Sequence, residues 1–199
     1  MAEKTIDIAS PILSRNERLA DQLRQRFKET NTYVINVLSS PGSGKTTTIL
    51  GTNERLRDKA GLRCAVIEGD IASDVDAITM KEAGMPAIQI NTGGLCHLEG
   101  NMIMEAVDAF DQAVGLENID VIFIENVGNL VCPVDFDLGE NLSIMILSVP
   151  EGDDKPLKYS STLARSCSIR STWPRLSILT WIGILRHSMT SIRRRRGLP

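Results

Sequence analysis

Residues 33–48, YVINVLSSPGSGKTTT, restrict the fold of this chain more than any other stretch. Tyr33, Val34, Ile35, Val37 and Leu38 form an apolar, largely β-branched run, Ser39 to Gly44 is small and turn-forming, and a helical segment follows from Lys45. That order predicts a buried strand, a tight turn and the first turn of a helix. The turn fits the phosphate-binding pattern G-x-x-x-x-G-K-[ST], in which main-chain N–H groups close around phosphate oxygens at a helix N-terminus. Gly42 and Gly44 supply backbone positions that a Cβ would block. Lys45 brings an ammonium for the β- and γ-phosphates, and Thr46 a hydroxyl for Mg²⁺. The nucleotide-binding candidates here are Pro41, Gly42, Ser43, Gly44, Lys45, Thr46 and Thr47. Ser39 stands where the pattern has its first glycine, a departure that costs little if the residue still belongs to the strand.

The rest of the chain alternates strands with helices. Ser14-Arg15-Asn16-Glu17 reads as a capping box opening a helix to about Lys28, preceded by an arm over residues 1–11. Leu19, Ala20, Leu23 and Phe27 share one face of that helix, which is expected to pack on the domain or on a partner. Further strands are predicted at Arg63–Glu68, Ala87–Ile90, Val121–Glu125 and Leu142–Val149, and helices at Lys45–Lys59, Val75–Ala83 and Glu99–Gln112. Continuously apolar strand centres are those of a parallel sheet covered on both faces. The expectation is a doubly wound, mostly parallel α/β sheet with helices on both faces, its ligand at the strand tips.

Two acids fall at those tips. Asp70 follows the second strand and is a candidate to hold Mg²⁺ with Thr46. Glu125-Asn126-Val127-Gly128 ends the fourth, where phosphate-loop proteins place D-x-x-G. There the Gly128 amide senses a γ-phosphate, and Glu125, one methylene longer than Asp, reaches the metal shell through water. Lys45, Asp70 and Glu125 are the catalytic candidates.

Charge divides the chain sharply. Residues 1–154 hold all 25 acidic residues against 12 basic ones, whereas residues 155–199 hold 10 basic residues and no acid. From about Ser166 the strand and helix pattern also stops, leaving Trp173, Trp181 and the run Arg193–Arg196. A basic tail, or a nucleic-acid or membrane contact through the arginines, would give such a composition. We read the segment instead as out-of-frame or foreign sequence never selected to fold. The expected organisation is an arm and amphipathic helix over 1–30, a nucleotide-binding domain over 31–165 and an aberrant tail over 166–199, so the fold is expected to be incomplete at its C-terminal end. No stretch reaches the roughly 18 apolar residues of a membrane span, and no signal-peptide core opens the chain, so a cytoplasmic protein without membrane or nucleic-acid partners is expected.

The four cysteines, at positions 64, 96, 132 and 167, lack paired disulfide spacing. Cys64 lies inside an apolar strand and reads as a core thiol. Cys96-His97 and Cys132 admit two readings from spacing alone: separate buried thiols beside a polar helix-start residue, or three ligands for Zn²⁺ or Ni²⁺, completed across a two-fold axis.

SSPGSGKTTT, EGD (68–70), NTGGLCHLEGNMI (91–103), FIENVGNLVCP (123–133), DLGE and PEGDDKPLKY occur in that order. Over residues 12–165 these blocks resemble the hydrogenase nickel-incorporation GTPase family, HypB. The resemblance implies a GTP-hydrolysing metallochaperone of the dimer-forming phosphate-loop class, with GTP, Mg²⁺ and Ni²⁺ or Zn²⁺ as ligands. It implies a homodimer driven by GTP and metal, a nickel-delivery partner, and the hydrogenase large subunit as recipient. It also implies that Cys96, His97 and Cys132 bind zinc or nickel at the dimer interface. The chain departs from the family in having only two histidines and no His-rich or Cys-rich N-terminal motif, and in having no N-K-x-D to read guanine. An ATP-dependent small-molecule kinase or ligase on the same fold, and an inactive truncated nucleotide- and metal-binding module, are the alternatives.

Overall fold

The computed structural model describes residues 9–69, 79–148 and 158. Its elements are α1 (Ala9–Thr30), β1 (Tyr33–Ser39), α2 (Lys45–Ala60), β2 (Cys64–Gly69), β3 (Ala87–Ile90), α3 (Gly100–Val114), β4 (Val121–Glu125) and β5 (Leu142–Ile146). The five strands form one sheet in the order β3-β2-β4-β1-β5, and every neighbouring pair is parallel. Central strands β1 and β4 pair from Tyr33 opposite Val121 to Val37 opposite Glu125, which sets the phosphate-loop strand and the acid-bearing strand tip to tip.

Side chains alternate across the sheet, so each strand feeds two cores. On one face Ile35, Val37, Val66, Val121, Phe123 and Ile144 pack with Ile49 and Leu56 of α2. On the other, Val34, Ala65, Ile67, Ile122 and Ile124 pack with Leu23 and Phe27 of α1 and with Ile103, Val107 and Phe110 of α3. Each such buried side chain contributes about 1.5–3 kcal/mol relative to exposure. Among the described residues no helix is long and apolar enough to cross a membrane.

The structure corrects several predicted boundaries. α1 runs unbroken through Ser14, which lies exposed in the helix, and begins at Ala9. Pro11 falls in the first turn, where a helix needs no N–H donor. The capping box yields because Asn16, 4% exposed, spends its side chain on tertiary contacts: Nδ2 donates to the Asp137 carbonyl at 2.7 Å, and Oδ1 accepts from the Gly100 N–H at 2.7 Å. Strand β5 ends at Ile146 rather than Val149, because Ile146 lies opposite Ser39, the last residue of its partner. Residues 79–82 are helical, and the earlier part of the helix predicted at Val75–Ala83 lies outside the described residues, as does the segment 166–199.

Arg24 bridges Asp21 and Asp137, and Arg26 bridges Asp108 and Asp111, tying α1 to the DLGE turn and to α3. Hydrogen bonding to Asp108 holds the Arg26 guanidinium above its usual pKa, and the Leu116 N–H bonded to Asp111, with Arg26 beside it, holds that carboxyl below its own. These pairs are solvent-facing and add at most about 1 kcal/mol each, so apolar burial carries the docking of α1.

Cys64 is buried in β2, as the sequence predicts for a core thiol, and burial pushes its pKa from 9.0 up to about 12, with Asp120 adding to the effect. Below pH 9 folded and unfolded chains both keep this proton. Above it the unfolded thiol ionises while the folded one does not, so stability falls by about 1.4 kcal/mol per pH unit until the folded thiol ionises too. The variant Cys64→Val removes this dependence. Urea unfolding at pH 8 and pH 10 should show the parent losing about 1.4 kcal/mol more than the variant; equal losses would contradict the buried neutral thiol.

Candidate functional site

The phosphate loop takes its shape from both neighbours. Ser39 is fully buried and its backbone bridges Asn129, so it is a strand residue, and no glycine is needed at the first position of the pattern. Ser43 Oγ donates to the Ser40 carbonyl at 2.8 Å, bracing the turn. Gly44 sits at the N-cap of α2 with φ 92°, a left-handed conformation that a side chain would strain. No side chain caps this helix, and its first turn holds no acid. The positive end of α2 and its unpaired first amides thus face the loop formed by Pro41, Gly42 and Ser43, with Lys45, Thr46 and Thr47 opening the helix.

Thr46 Oγ1 donates to Glu125 Oε1 at 3.0 Å, across 79 residues of sequence. A hydroxyl and a carboxylate held together at the mouth of a phosphate loop are hard oxygen donors of the kind Mg²⁺ takes, so the residues present fit that ion. Asp70, the other predicted Mg²⁺ ligand, lies outside the described residues. Three residues beyond Glu125, Gly128 packs on the loop itself: a Cβ there would stand 2.8 Å from Pro41 Cγ and 3.0 Å from its nitrogen. Only hydrogen fits at that position, which explains the glycine without recourse to torsion.

The same tip leads into the thiols. Cys132 opens a short 3₁₀ turn (Cys132–Asp135), and Cys96-His97 lies just ahead of α3. Hydrogen bonding with Cys96 pushes the Cys132 thiol up from its ordinary pKa, and burial and the Cys96 charge add to it. Cys96 Sγ lies 3.7 Å from His97 Nδ1. The His97 ring stacks on Phe136 at 3.8 Å between centroids, and its Nε2 lies 3.4 Å from Glu99 Oε1. The turn that Cys132 opens thus packs on the Cys96-His97 segment through Phe136, and among the described residues no three His, Cys, Asp or Glu side chains converge as a metal cluster. The donor types suit a soft or borderline cation such as Ni²⁺ or Zn²⁺. Leu95 and Val131, flanking the two cysteines, are 41% and 60% exposed.

Residues 33–154 match the family described as "CobW/HypB/UreG, nucleotide-binding domain". The chain belongs to this family.

Among curated CobW/HypB/UreG relatives, the hydrogenase/urease maturation factor HypB of Helicobacter hepaticus is 46% identical over 157 residues, 79% of this chain and 63% of the relative. The hydrogenase maturation factor HypB of Escherichia coli K12 is 47% identical over 161 residues, 81% of this chain and 53% of the relative. The chain thus spans between about half and two thirds of these relatives. A crystal structure of HypB from Helicobacter pylori in complex with nickel superposes with a TM-score of 0.71 at 41% identity, covering 76% of this chain and 69% of that one. HypB from Archaeoglobus fulgidus gives 0.68 at 37% identity, covering 77% and 71%.

Sequence reasoning missed the polar side chains behind the HypB-like motifs. Asn36 and Asn126 are each 1% exposed and hydrogen-bonded to each other, Asn126 Nδ2 donating to Asn36 Oδ1 at 3.2 Å. Asn36 in turn donates to Glu140 Oε1 at 3.3 Å. An asparagine in mid-strand among apolar residues was the available signal. A polar cavity of about 280 Å³ borders this chain, lined by Asn36, Phe136 and Glu140 among others, away from the phosphate loop.

Gly128→Ala forces either Pro41 or the β4 tip to shift, at the 1–3 kcal/mol typical of overpacking. Titration calorimetry with GDP should show affinity weakened by about ten-fold or more in a folded variant; unchanged affinity would mean that the contact with Pro41 does not shape the loop.

Proposed function

We propose that this chain is the nucleotide-hydrolysing core of a metallochaperone that handles nickel during hydrogenase maturation, with GTP as substrate. The observation that carries this reading is the adjacency of two chemistries on one strand tip. Glu125 bonds the phosphate-loop Thr46, and seven residues further on Cys132 opens the turn whose end, Phe136, stacks on His97 beside Cys96. The relatives' names, and the nickel-bound H. pylori structure, support the choice of metal and process.

In this mechanism the loop amides and the Lys45 ammonium bind the β- and γ-phosphates, while α2's positive end favours the same charge. Mg²⁺, when bound, neutralises charge developing on the transferred phosphoryl oxygens. Thr46 and Asp70 would hold it directly, with Glu125 accepting from its water shell. The Gly128 amide reports whether the γ-phosphate is present, a role that its closeness to Pro41 of the loop supports. The triphosphate state favours a homodimer, in which Cys96, His97 and Cys132 of the two copies complete a site for Ni²⁺ or Zn²⁺ as cargo. Hydrolysis releases it toward a delivery partner and the hydrogenase large subunit, in the cytoplasm. Such a cycle requires the metal to bind the two nucleotide states with different affinity.

Equilibrium titration with GTP, GDP and ATP, each with and without Ni²⁺, tests the reading. Guanine nucleotides should bind, and Lys45→Ala should weaken them by about 10- to 150-fold, the worth of a charge-assisted hydrogen bond at 1.5–3 kcal/mol. Undiminished affinity in that variant would refute the phosphate site. Cys96→Ala should remove stoichiometric Ni²⁺ or Zn²⁺ by elemental analysis, and full retention of metal would refute the thiol site.

A further inference from the structure

Two asparagines connect the phosphate loop with the thiol pair, and nothing in the proposed chemistry uses their side chains. Asn126 follows β4 directly, and its N–H donates to the Val37 carbonyl at 3.1 Å, anchoring the tip to the phosphate-loop strand. Its Oδ1 accepts from two main chains at once: from Val127 N–H at 2.9 Å, one residue before Gly128, and from Leu98 N–H at 3.4 Å, one residue after His97. The amide is held against rotation. Its Nδ2 is committed to Asn36, which is committed to Glu140, and Glu140 in turn accepts from Ser143 Oγ at 2.6 Å and Leu138 N–H at 2.9 Å. A buried group with all its partners engaged transmits displacement, because breaking any one bond strands a polar atom away from water.

Asn129 does the same for the other thiol. Its backbone bridges Ser39 at the start of the loop, and its side-chain oxygen accepts from Val131 N–H at 2.8 Å and Cys132 N–H at 3.4 Å. Between the two asparagines sits Gly128, so close to Pro41 that a Cβ there would stand 2.8 Å from Pro41 Cγ. A shift of the loop that moves Gly128 therefore drags one main-chain anchor of the Cys96-His97 segment and one of the Cys132 turn.

We propose that Asn126 and Asn129 are positioning residues that make the geometry of the Cys96–Cys132 pair depend on the nucleotide in the phosphate loop. The inference rests on the nucleotide- and metal-binding function proposed above, and adds to it the route of coupling. Neither asparagine touches phosphate or metal in this account. Each acts through the backbone it holds, so its loss uncouples two sites that each still bind. Coupling of this kind is reciprocal, so the factor by which nucleotide changes metal affinity equals that by which metal changes nucleotide affinity.

The test measures the dissociation constant of Ni²⁺ for the full chain with Mg²⁺ and either GDP or a non-hydrolysable GTP analogue, and takes the ratio of the two. The parent is expected to give a ratio in the usual range of allosteric coupling, about 5–150. Asn129→Ala and Asn126→Ala should each bring it to within about two-fold of one, while Asn129→Asp, which keeps the acceptor oxygen for Val131 and Cys132, restores it. The added carboxylate of that variant changes both Ni²⁺ constants alike and leaves their ratio. Should Asn126→Ala fail to fold by circular dichroism, the half-buried Asn129 variants still decide the matter. A parent ratio above five that survives in the foldable alanine variants overturns this inference alone. A parent ratio of one overturns the proposed function as well.

Discussion

The parallel register between β1 and β4 is the constraint from which the rest of the site follows. With Val37 opposite Glu125, the loop that leaves β1 and the tip that leaves β4 emerge side by side at one edge of the sheet. Thr46 then reaches Glu125 without any long connection, and Gly128 falls on Pro41. A slip of one residue would turn Val37 and Ile124 to the wrong cores and separate both contacts together. The covering of both faces by α1, α2 and α3 makes such a slip expensive, since every strand residue from Val121 to Ile124 is buried.

At that edge two kinds of donor are kept apart. Oxygen donors from Thr46 and Glu125 lie on the phosphate side, and the sulfur donors lie past it, Cys132 on the turn after Gly128 and Cys96 beside His97, which stacks on Phe136 at the end of that turn. Hard Mg²⁺ and a borderline cation such as Ni²⁺ prefer different members of this set, so under the proposed function neither would capture the other's place. The Phe136 stack fixes the His97 ring face to face with an aromatic neighbour, with Nδ1 toward Cys96 and Nε2 toward Glu99.

Much of this was legible from residue order. β3 and β4 lie where apolar runs place them, α2 begins at the predicted Lys45, and Cys64 is the core thiol expected of an apolar strand. The α/β class followed from alternation, and the structure makes the sheet wholly parallel among its described strands. Two things were not legible. Ser14-Arg15-Asn16-Glu17 satisfies the local rule for a helix start, but local rules are blind to Asn16's partners 84 and 121 residues away. Likewise Asn36 interrupts an apolar strand with no local reason, and its purpose lies in Asn126 and Glu140, which periodicity does not connect to it. Hydrophobic pattern records what is buried, and it leaves silent which buried polar atoms find each other.

The clamp on α1 also dictates an order of events at the ribosome. The apolar face of this helix closes on the sheet and on α3, whose Phe110 lies 83 residues after Phe27, and its Arg24 reaches Asp137, 113 residues later. At typical synthesis rates of about 5–20 residues per second, Leu23 and Phe27 wait roughly 4–17 s for Phe110. Nascent chains of this protein thus expose part of a greasy stripe until α3 is made, a natural target for holding factors that shield such segments until the last contact arrives.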